Sequence, residues 1–370
     1  TPPPAPPPPA APAAPTPEPP PAVNNGFVGV LLPLTGQYAI AGQTVRAGLQ
    51  AASSADTNPN KPELRFVDTQ TGNVGALYQT FASQGAKFVI GPLTKEEVTT
   101  LGAASDIPVP VLALNQIDGL NRDKLYQFAL TPEQEVEQAA SLAWFDGRQN
   151  ALLLAPATAL GQRLVTHFTS YWKSLGGKIA SVRTYPSGAA DYSGTAKQLL
   201  AGVSGDSTSQ IAPEFIFLIA NSNDGRLLNP HIINQQTGKI PIYATSMIFN
   251  GQPDAAQNND LSGVTFCDSP WLLNTDSDPL SRKSMLPTVR QTPELYLRLL
   301  PMGIDAYQLS QELGPLKAGL SRYNGATGVL SLRSGNRIQR QLHCAQFDGP
   351  TLQPRGIAPT LQPGLTAPTP

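Results

Sequence analysis

The stretch FVGVLLPLTGQYAIAGQTVRAGLQAA, residues 27–52, gives the clearest indication of the fold of this chain. An apolar run suited to a buried strand passes through a Pro-Leu-Thr-Gly turn into an alanine-rich segment, which predicts a strand, a turn and a helix. A phosphate-binding loop would need G-x-x-x-x-G-K-[ST], and a dinucleotide site would need G-x-G-x-x-G. The turn has neither motif, so it predicts a helix N-terminus that could meet an anion or a polar ligand without specifying which.

Similar strand-like runs recur along the chain. They lie at residues 27–32, 64–67, 88–90 and 109–114, and the series restarts at residues 151–154, 179–185, 215–219 and 242–244. Helical patterns separate these runs, which predicts βαβ units and parallel sheets with helices on both faces. The predicted fold class is therefore α/β with two Rossmann-like lobes. After residue 244 the alternation breaks, as it would in a chain that crosses between the lobes more than twice and leaves a cleft between them.

Four segments follow from composition and pattern. Residues 1–25 form a stalk rich in proline and alanine, and residues 349–370 form a tail that repeats T-L-Q-P; both are expected to be disordered. Residues 26–128 with about 272–325 are expected to form one lobe. Residues 129–271 with about 326–348 are expected to form the other.

Two helix starts carry the pattern of a capping box, TKEE at residues 94–97 and TPEQ at residues 131–134. The second box also has proline at its first helical position. Glu133, Glu135 and Glu137 follow it. A cation site is one interpretation of this acidic cluster, and the preference of carboxylates for a helix N-terminus is the simpler one.

Charge and cysteine content narrow the classes of function. A formal net charge of −1 gives no electrostatic footprint for nucleic acid or an anionic membrane, so neither is an expected partner. No apolar run approaches the ~20 residues of a membrane span, and no signal peptide pattern is present. The two cysteines, Cys267 and Cys344, do not form a C-x-x-C motif. They could be buried thiols or a disulfide formed in an oxidising compartment, and both interpretations stay open.

Enzymatic and metal sites are weakly indicated. His167, His231 and His343 are isolated rather than spaced as ligands, so no metal and no cofactor are expected. SYWK at residues 170–173 and SGN at residues 334–336 match two motifs of penicillin-recognising serine enzymes, but the third motif, K-T-G, does not follow. A glycosidase would need two facing carboxylates. Asp68 and Asp305 could be proposed, although Asp305 is interpreted as a helix cap. The chain is expected not to be an enzyme.

The order of several segments resembles a known family. VGVLLPLTG, GAKFVIGPLTKEEV, IPVPVLALNQ and GATGVLSL look like the type I periplasmic-binding fold of leucine/isoleucine/valine-binding proteins. More narrowly, VIGPLTKEEV, YQFALTPEQEVEQAA, ALLLAPATALGQRL, GVTFCDSPWLL and MGIDAYQL together resemble the LppC/LpoA family of outer-membrane lipoproteins, which activate a class A penicillin-binding protein. Members with that role carry a further N-terminal helical-repeat domain, where this chain has the proline-rich stalk.

The resemblance implies a ligand-binding cleft between the lobes, at the carboxyl ends of the strands. The positions are the turns after the first and third strands, the end of the fourth strand and one position in the second lobe: Thr35, Gly36, Tyr38, Gly91, Pro92, Leu93, Asn115 and Gln162. The glycines could instead be turn residues, and Asn115 could be a loop cap.

The resemblance also implies a function. We expect a periplasmic, non-catalytic regulator of peptidoglycan synthesis, whose partner is a class A penicillin-binding protein. Its membrane contact would be only through a lipid anchor upstream of this chain, at the outer membrane. The alternative is a solute-binding protein of an ABC transporter, which would hold an amino acid or a peptide-like ligand in the cleft.

Overall fold

The structure is a computed structural model that describes residues 26–201, 211–235, 240–251, 255–274, 278–317 and 322–361. The predicted stalk, residues 1–25, and the end of the predicted tail, residues 362–370, lie outside the described residues. The strands are β1 (Phe27–Leu32), β2 (Glu63–Asp68), β3 (Ala86–Ile90), β4 (Val111–Ala113), β5 (Leu125–Phe128), β6 (Asn150–Pro156), β7 (Lys178–Tyr185), β8 (Phe215–Leu218), β9 (Ile242–Ala244), β10 (Val264–Asp268), β11 (Tyr323–Asn324), β12 (Val329–Arg333), β13 (Arg337–Gln341), β14 (His343–Asp348) and β15 (Thr351–Ile357).

The α-helices are α1 (Ala39–Ala55), α2 (Val74–Ser83), α3 (Lys95–Gly102), α4 (Pro132–Phe145), α5 (Ala159–Ser174), α6 (Ser193–Ala201), α7 (Ser222–Gln235), α8 (Ala255–Asn258), α9 (Pro270–Leu273), α10 (Leu286–Gln291) and α11 (Leu299–Lys317). Short 3-10 helices lie at Gly36–Tyr38, Thr69–Thr71, Ser246–Ile248, Asn259–Leu261 and Glu294–Tyr296.

Two sheets organise these elements. The first has the strand order β11-β12-β13-β5-β4-β3-β1-β2, and the second has the order β15-β14-β10-β9-β8-β6-β7. Pairing is parallel from β13 to β2 and from β10 to β7, and it is antiparallel only at β11, β12, β14 and β15. All residues of β1, β5 and β8 are buried, as expected for strands covered on both faces. The predicted α/β class with two parallel sheets is confirmed.

Two glycines fix the return of the chain to the first lobe. A Cβ atom on Gly48 of α1 would lie 2.1 Å from the carbonyl oxygen of Leu300, and one on Gly303 of α11 would lie 2.2 Å from the carbonyl oxygen of Val45. The two helices therefore touch backbone to backbone, which only glycine allows at these positions. This contact anchors α11 in the helical layer of the first sheet.

The chain crosses between the two lobes three times. The first crossover joins β5 to α4, the second joins β10 to α11, and the third is Leu342, between β13 and β14. Leu342 is fully buried. This layout confirms the prediction that the chain crosses between the lobes more than twice. The cleft lies beside the crossovers.

Two of the predicted boundaries are wrong. Residues 329–341 form β12 and β13 of the first sheet, where β13 pairs with β5, instead of joining the second lobe. Leu330 and Ile338 of this hairpin are buried in the core, which holds the hairpin there. Residues 351–357 form β15 against β14, so the predicted disorder is wrong for this part of the tail. Most side chains of β15 are exposed, and its backbone pairing gives no apolar pattern in the sequence.

The predicted helix starts differ in detail. Thr94 forms the full capping box with Glu97. Thr131 precedes α4 as predicted, but its side chain makes no capping hydrogen bond. Proline at the first position supplies the helical φ there and needs no N–H partner.

The two cysteines lie opposite each other on β10 and β14. A disulfide joins Cys267 and Cys344, whose Cα atoms are 3.9 Å apart. Both residues are buried, at 1% and 2% exposure. Of the two interpretations left open by the sequence, the structure contains the disulfide.

Candidate functional site

A cleft with a volume of about 1130 Å³ lies between the two lobes. One wall is formed by strand ends and helix starts of the first lobe, including Tyr38, residues 93–96 and residues 114–116. The opposite wall is formed by the first turns of α4 and by α5. The hairpin β12–β13 borders both walls. We call this cavity the interlobe cleft.

Three of the predicted positions line the interlobe cleft: Tyr38, Leu93 and Asn115. Tyr38 is 40% exposed and ends the short 3-10 helix before α1. Asn115 is already engaged, because its Nδ2 donates to the carbonyl oxygen of Leu93 at 3.0 Å and its Oδ1 accepts from the N–H of Gln116 at 2.9 Å. Asn115 therefore shapes the loop it follows, and a ligand contact at these three positions stays a prediction.

Thr35 and Gly36 form a turn beside the cleft. The Thr35 hydroxyl donates to Asp68 Oδ2 at 2.6 Å, and the N–H of Leu34 donates to Asp68 Oδ1 at 2.9 Å. Although burial acts in the other direction, these hydrogen bonds lower the pKa of Asp68. Gly36 has φ of +74°, which favours glycine. The carboxylate of Asp68 therefore holds the first turn in shape.

Gly91 and Pro92 are buried beneath the cleft surface. Gly91 has φ of +95°, and a Cβ atom there would lie 2.0 Å from the carbonyl oxygen of Leu31. The peptide bond between Gly91 and Pro92 is cis. The carbonyl oxygen of Pro92 accepts from the N–H of Leu114 at 2.8 Å. Gly91 and Pro92 therefore have a structural role, because they shape the turn that places Leu93 at the cleft.

Gln162 is exposed on the first turns of α5 and is not part of the lining, whereas the next residue, Arg163, is. Arg163 Nε lies 2.8 Å from Glu133 Oε1, and His167 Nε2 lies 2.9 Å from Glu137 Oε1. Both pairs join α5 to α4. Arg163 was not predicted from the sequence, and the simpler interpretation of Glu133 and Glu137 was the preference of carboxylates for a helix N-terminus. The i, i+4 spacing in each helix was the available signal for two parallel pairs.

The hairpin adds arginines to the cleft. Arg333 donates from its Nε to Oε1 of Gln339, a neutral partner. Arg337 lies 3.8 Å from the exposed carboxylate of Asp118. The charged groups of the cleft thus include both signs, and several are engaged with each other.

A buried polar network lies behind the cleft, where the chain crosses between the lobes. At the second crossover, Arg298 donates to both carboxylate oxygens of Asp268, at 3.0 and 2.5 Å. The same guanidinium donates to the carbonyl oxygens of Ser246 and Phe249. Asp268 is 1% exposed, so this bidentate pair is the partner that such a buried charge requires.

Glu135 and Arg340 join the first crossover to the third. Glu135 Oε2 accepts from the hydroxyl of Ser246 at 2.5 Å, and Oε1 lies 3.5 Å from Arg340 Nη2. Arg340 is 1% exposed, and burial lowers its pKa. Because Ser246 also contacts Arg298 through its carbonyl oxygen, the three crossovers share one connected set of contacts. We call this set, with Asp268 and Arg298, the crossover network.

Asp305 extends the crossover network into α11. It lies inside the helix, fully buried, and accepts from the N–H groups of Ala326 and Thr327 and from the Thr327 hydroxyl. The interpretation of Asp305 as the cap of its own helix is therefore wrong, since it holds the loop before β12. Burial raises the pKa of Asp305 to about 6. Asp68 and Asp305 do not line the interlobe cleft, so they are not a facing pair of carboxylates there.

The described part of the chain contains neither a membrane-spanning helix nor a metal-binding cluster. Within the described ranges, no helix combines the length and apolar character needed to cross a bilayer. The same residues contain no group of three or more histidine, cysteine, aspartate or glutamate side chains arranged around a common point.

Comparisons with known proteins agree with this geometry. The family model described as "LppC putative lipoprotein" matches residues 22–349. The penicillin-binding protein activator LpoA of Photobacterium profundum is 33% identical over 353 residues, which cover 88% of this chain and 56% of that protein. This chain thus spans little more than half the length of that relative.

Solved structures give the same result for the fold. The C-domain of LpoA from Haemophilus influenzae, described as a regulator of PBP1A, superposes with a TM-score of 0.72 and 25% identity, over 89% of this chain and 99% of that one. A protein of Chromobacterium violaceum, named provisionally as a branched-chain amino acid ABC transporter, superposes with a TM-score of 0.67 and 27% identity, over 87% of this chain and 99% of that one. The two lobes have the type I periplasmic-binding architecture, and the chain belongs to the LppC lipoprotein family.

Proposed function

We propose that this chain is the two-lobed body of a periplasmic regulator of peptidoglycan synthesis, which binds and activates a class A penicillin-binding protein. The observation that carries the proposal is the family match over residues 22–349, together with a relative named as an activator of a penicillin-binding protein. The chain corresponds to the C-domain of the Haemophilus influenzae regulator over 99% of that domain. The proposal places recognition of the synthase on this body.

The arrangement of charged groups supports a role without catalysis. In the interlobe cleft, Arg163 and His167 are engaged by carboxylates of α4, and Asn115 is engaged by its own loop. A catalytic acid, base or nucleophile needs a reacting group within hydrogen-bond reach and a pKa suited to its task. The buried carboxylates Asp268 and Asp305, which are extensively hydrogen-bonded, lie in the crossover network and do not line the cleft.

The compartment proposed is the periplasm, with a lipid anchor in the outer membrane upstream of this chain. The disulfide between Cys267 and Cys344 supports an oxidising compartment, because disulfides persist in the periplasm and are rare in the cytosol. Membership in a lipoprotein family supports the anchor.

The test is direct binding of this chain to the class A penicillin-binding protein of the same organism, in solution at physiological salt. Binding at micromolar Kd or tighter is expected, with or without residues 1–22, because the two-lobed body carries the family match. The rate of glycan polymerisation by the synthase, measured with and without this chain, gives the activation. Absence of binding at a protein concentration of about 100 μM would overturn the proposal.

A solute-binding function is the second candidate, and the superposition on the Chromobacterium violaceum protein favours it. The cleft, at about 1130 Å³, is large for a free amino acid. A ligand that binds only the native state raises the melting temperature. A rise of several degrees with one member of a panel of amino acids, peptides and muropeptides, without binding to the synthase, would favour this candidate over the regulator.

A further inference from the structure

The segment from the end of α11 to β14 is strongly cationic. Residues 313–347 contain one lysine, four arginines and neither aspartate nor glutamate, in a chain whose net charge is −1. Two of these arginines, Arg333 and Arg337, lie directly opposite each other at the end of the hairpin β12–β13. Such a run of positive charges is unusual in a segment that forms paired strands, because like charges on directly facing residues repel each other.

Strand register separates this segment into two faces. Leu330 pairs with Arg340 and Leu332 pairs with Ile338, and this face points into the core, where Leu330, Ile338 and Arg340 are buried. The other face carries polar residues of β12 and β13, and Arg322 precedes the neighbouring strand β11. On β12 and β13 they are Ser331, Arg333, Arg337, Gln339 and Gln341.

The polar face forms the floor of a second cavity of about 290 Å³. Its floor is Arg322, Ser331, Arg333, Gln339 and Gln341, and its sides are α4, α5 and residues 359–361. We call this cavity the arginine groove. It opens into the interlobe cleft, because Glu137, Arg333 and Gln339 line both.

The charges of the arginine groove are poorly compensated. Arg322 and Arg333 are exposed. Among the described residues, neither has a carboxylate within ion-pair distance, and the partner of Arg333 is the neutral amide of Gln339. On the facing side, Glu137 is engaged by His167, and Ser141 is bonded to the Tyr171 hydroxyl at 2.7 Å. The floor therefore presents guanidinium groups to solvent, and the carboxylate of the facing wall, Glu137, is paired with His167 and not with them.

We propose that the arginine groove binds an acidic, extended segment of a protein partner. Guanidinium groups bind carboxylates through two parallel hydrogen bonds, which suits the carboxylates of aspartate and glutamate. Tyr323 pairs with Leu330, and continuing this register by one residue brings Arg322 opposite Ser331 and diagonal to Arg333, a separation of roughly 7 to 8 Å. This is also the spacing of residues i and i+2 in an extended peptide. The identification of this partner as the synthase rests on the proposed function. The charge complementarity between the arginine groove and an acidic peptide does not depend on it.

The probe is a pair of blocked decapeptides, one alternating glutamate with serine and the other alternating glutamine with serine. Binding to the full chain is measured by fluorescence anisotropy at 50 and 200 mM salt. The double variant Arg322→Gln/Arg333→Gln removes the two guanidinium groups of the floor. Arg65→Gln is the control for loss of an arginine elsewhere, since it removes one positive charge on β2, at the opposite edge of the same sheet.

The glutamate peptide should bind the wild-type chain, and it should bind the double variant at least about tenfold more weakly. The control should stay within about twofold of wild type, and the affinity of the wild-type chain should fall as salt rises. Arg333→Lys should weaken binding of the glutamate peptide by an intermediate amount, because lysine keeps the positive charge but lacks the two parallel N–H donors of the guanidinium group. Melting temperatures of all variants check that they fold.

Three outcomes would overturn the proposal: equal binding of the glutamine peptide, unchanged binding by the double variant, or binding of soluble muropeptides that depends on these arginines while the glutamate peptide fails to bind. The last outcome would assign the groove to cell-wall material. If the glutamate peptide binds as expected and the synthase does not bind at all, the proposed function fails and the arginine groove stands.

Discussion

Glu133, Glu135 and Glu137 lie on two turns of one helix and have opposite environments. Glu133 and Glu137 face the interlobe cleft, with side chains 28% and 36% exposed, and they pair with Arg163 and His167. Glu135 has a side chain 7% exposed and contacts Arg340 and Ser246. Residues four apart share a face of a helix, and the residue midway between them points to the other side. One helix thus supplies both the cleft wall and the crossover network.

The two sets of charges contribute differently to the stability of the fold. A partly exposed ion pair contributes little to stability, because water screens it and two flexible side chains must be ordered. A buried charge that loses its partner is costly, because no water replaces the lost contact. We therefore infer that the crossover network fixes how the lobes are joined, whereas the pairs on the cleft wall can rearrange when a partner binds.

The largest effect is expected from Arg340→Met, which leaves the buried carboxylate of Glu135 with only the Ser246 hydroxyl. The free energy of unfolding should fall by about 3 to 5 kcal/mol, measured by chemical denaturation at pH 7. Arg163→Met is the matched control, because it removes the partner of Glu133, which lies on the same helix as Glu135, and its loss should stay below about 1 kcal/mol.

Equal losses for these two variants would remove the contrast between the network and the cleft wall. A second variant sharpens it. Glu135→Leu combined with Arg340→Met replaces both charges by apolar groups, and this change should recover a large part of the lost stability, because no unpaired charge remains. Failure to recover would mean that shape, rather than charge, dominates at this position.

Part of this contrast is visible in the amino-acid sequence. Apolar runs predicted β1 and the other central strands. The resemblance to type I periplasmic-binding proteins predicted Tyr38, Leu93 and Asn115 as ligand-binding positions; all three line the cleft, and ligand binding by them stays a prediction. Glu135 stands four and seven positions before Ala139 and Leu142, both buried, and this helical period marks the buried face of α4.

The partners could not be predicted, because they come from distant parts of the chain. Arg340 alternates with Ile338 and Leu342, which marks the core face of a strand, but it is 205 residues from Glu135. The lobe to which β12 and β13 belong was predicted incorrectly for the same reason. Their alternation fits either sheet, and pairing with β5 decides between them.

A second, smaller effect concerns the pH dependence contributed by Asp305. Its pKa of about 6 in the folded state lies above the ordinary value of 3.8, because burial disfavours the carboxylate. Between these two pH values the folded state binds more protons than the unfolded state, so the contribution of Asp305 to stability falls as pH rises from 4 to 6.

Asp305→Asn, which does not titrate, isolates this contribution. The stability of the wild-type chain minus that of the variant should decrease by roughly 2 to 3 kcal/mol between pH 4 and pH 7. Denaturation curves at four pH values in this range would measure it. A difference that is independent of pH would show that the carboxylate keeps an ordinary pKa, and that its hydrogen bonds to Thr327 offset its burial.

The smallest effect is expected on the cleft wall, at His167. The hydrogen bond with Glu137 raises the pKa of His167 above 6.5, so the pair contributes stability at pH below 6.5 and loses it as pH rises through the folded-state pKa. Because both side chains are about one-third exposed, this contribution should be less than about 1 kcal/mol.

The imidazole resonances of the three histidines, followed by NMR, measure the pKa of His167 directly, and Glu137→Gln should lower it. His343 is an internal reference, since burial lowers its pKa, and it should titrate at lower pH than His167 in the wild-type chain. If Glu137→Gln left the His167 titration unchanged, the pair would not exist in solution, and the cleft wall would present a free carboxylate beside the arginine groove.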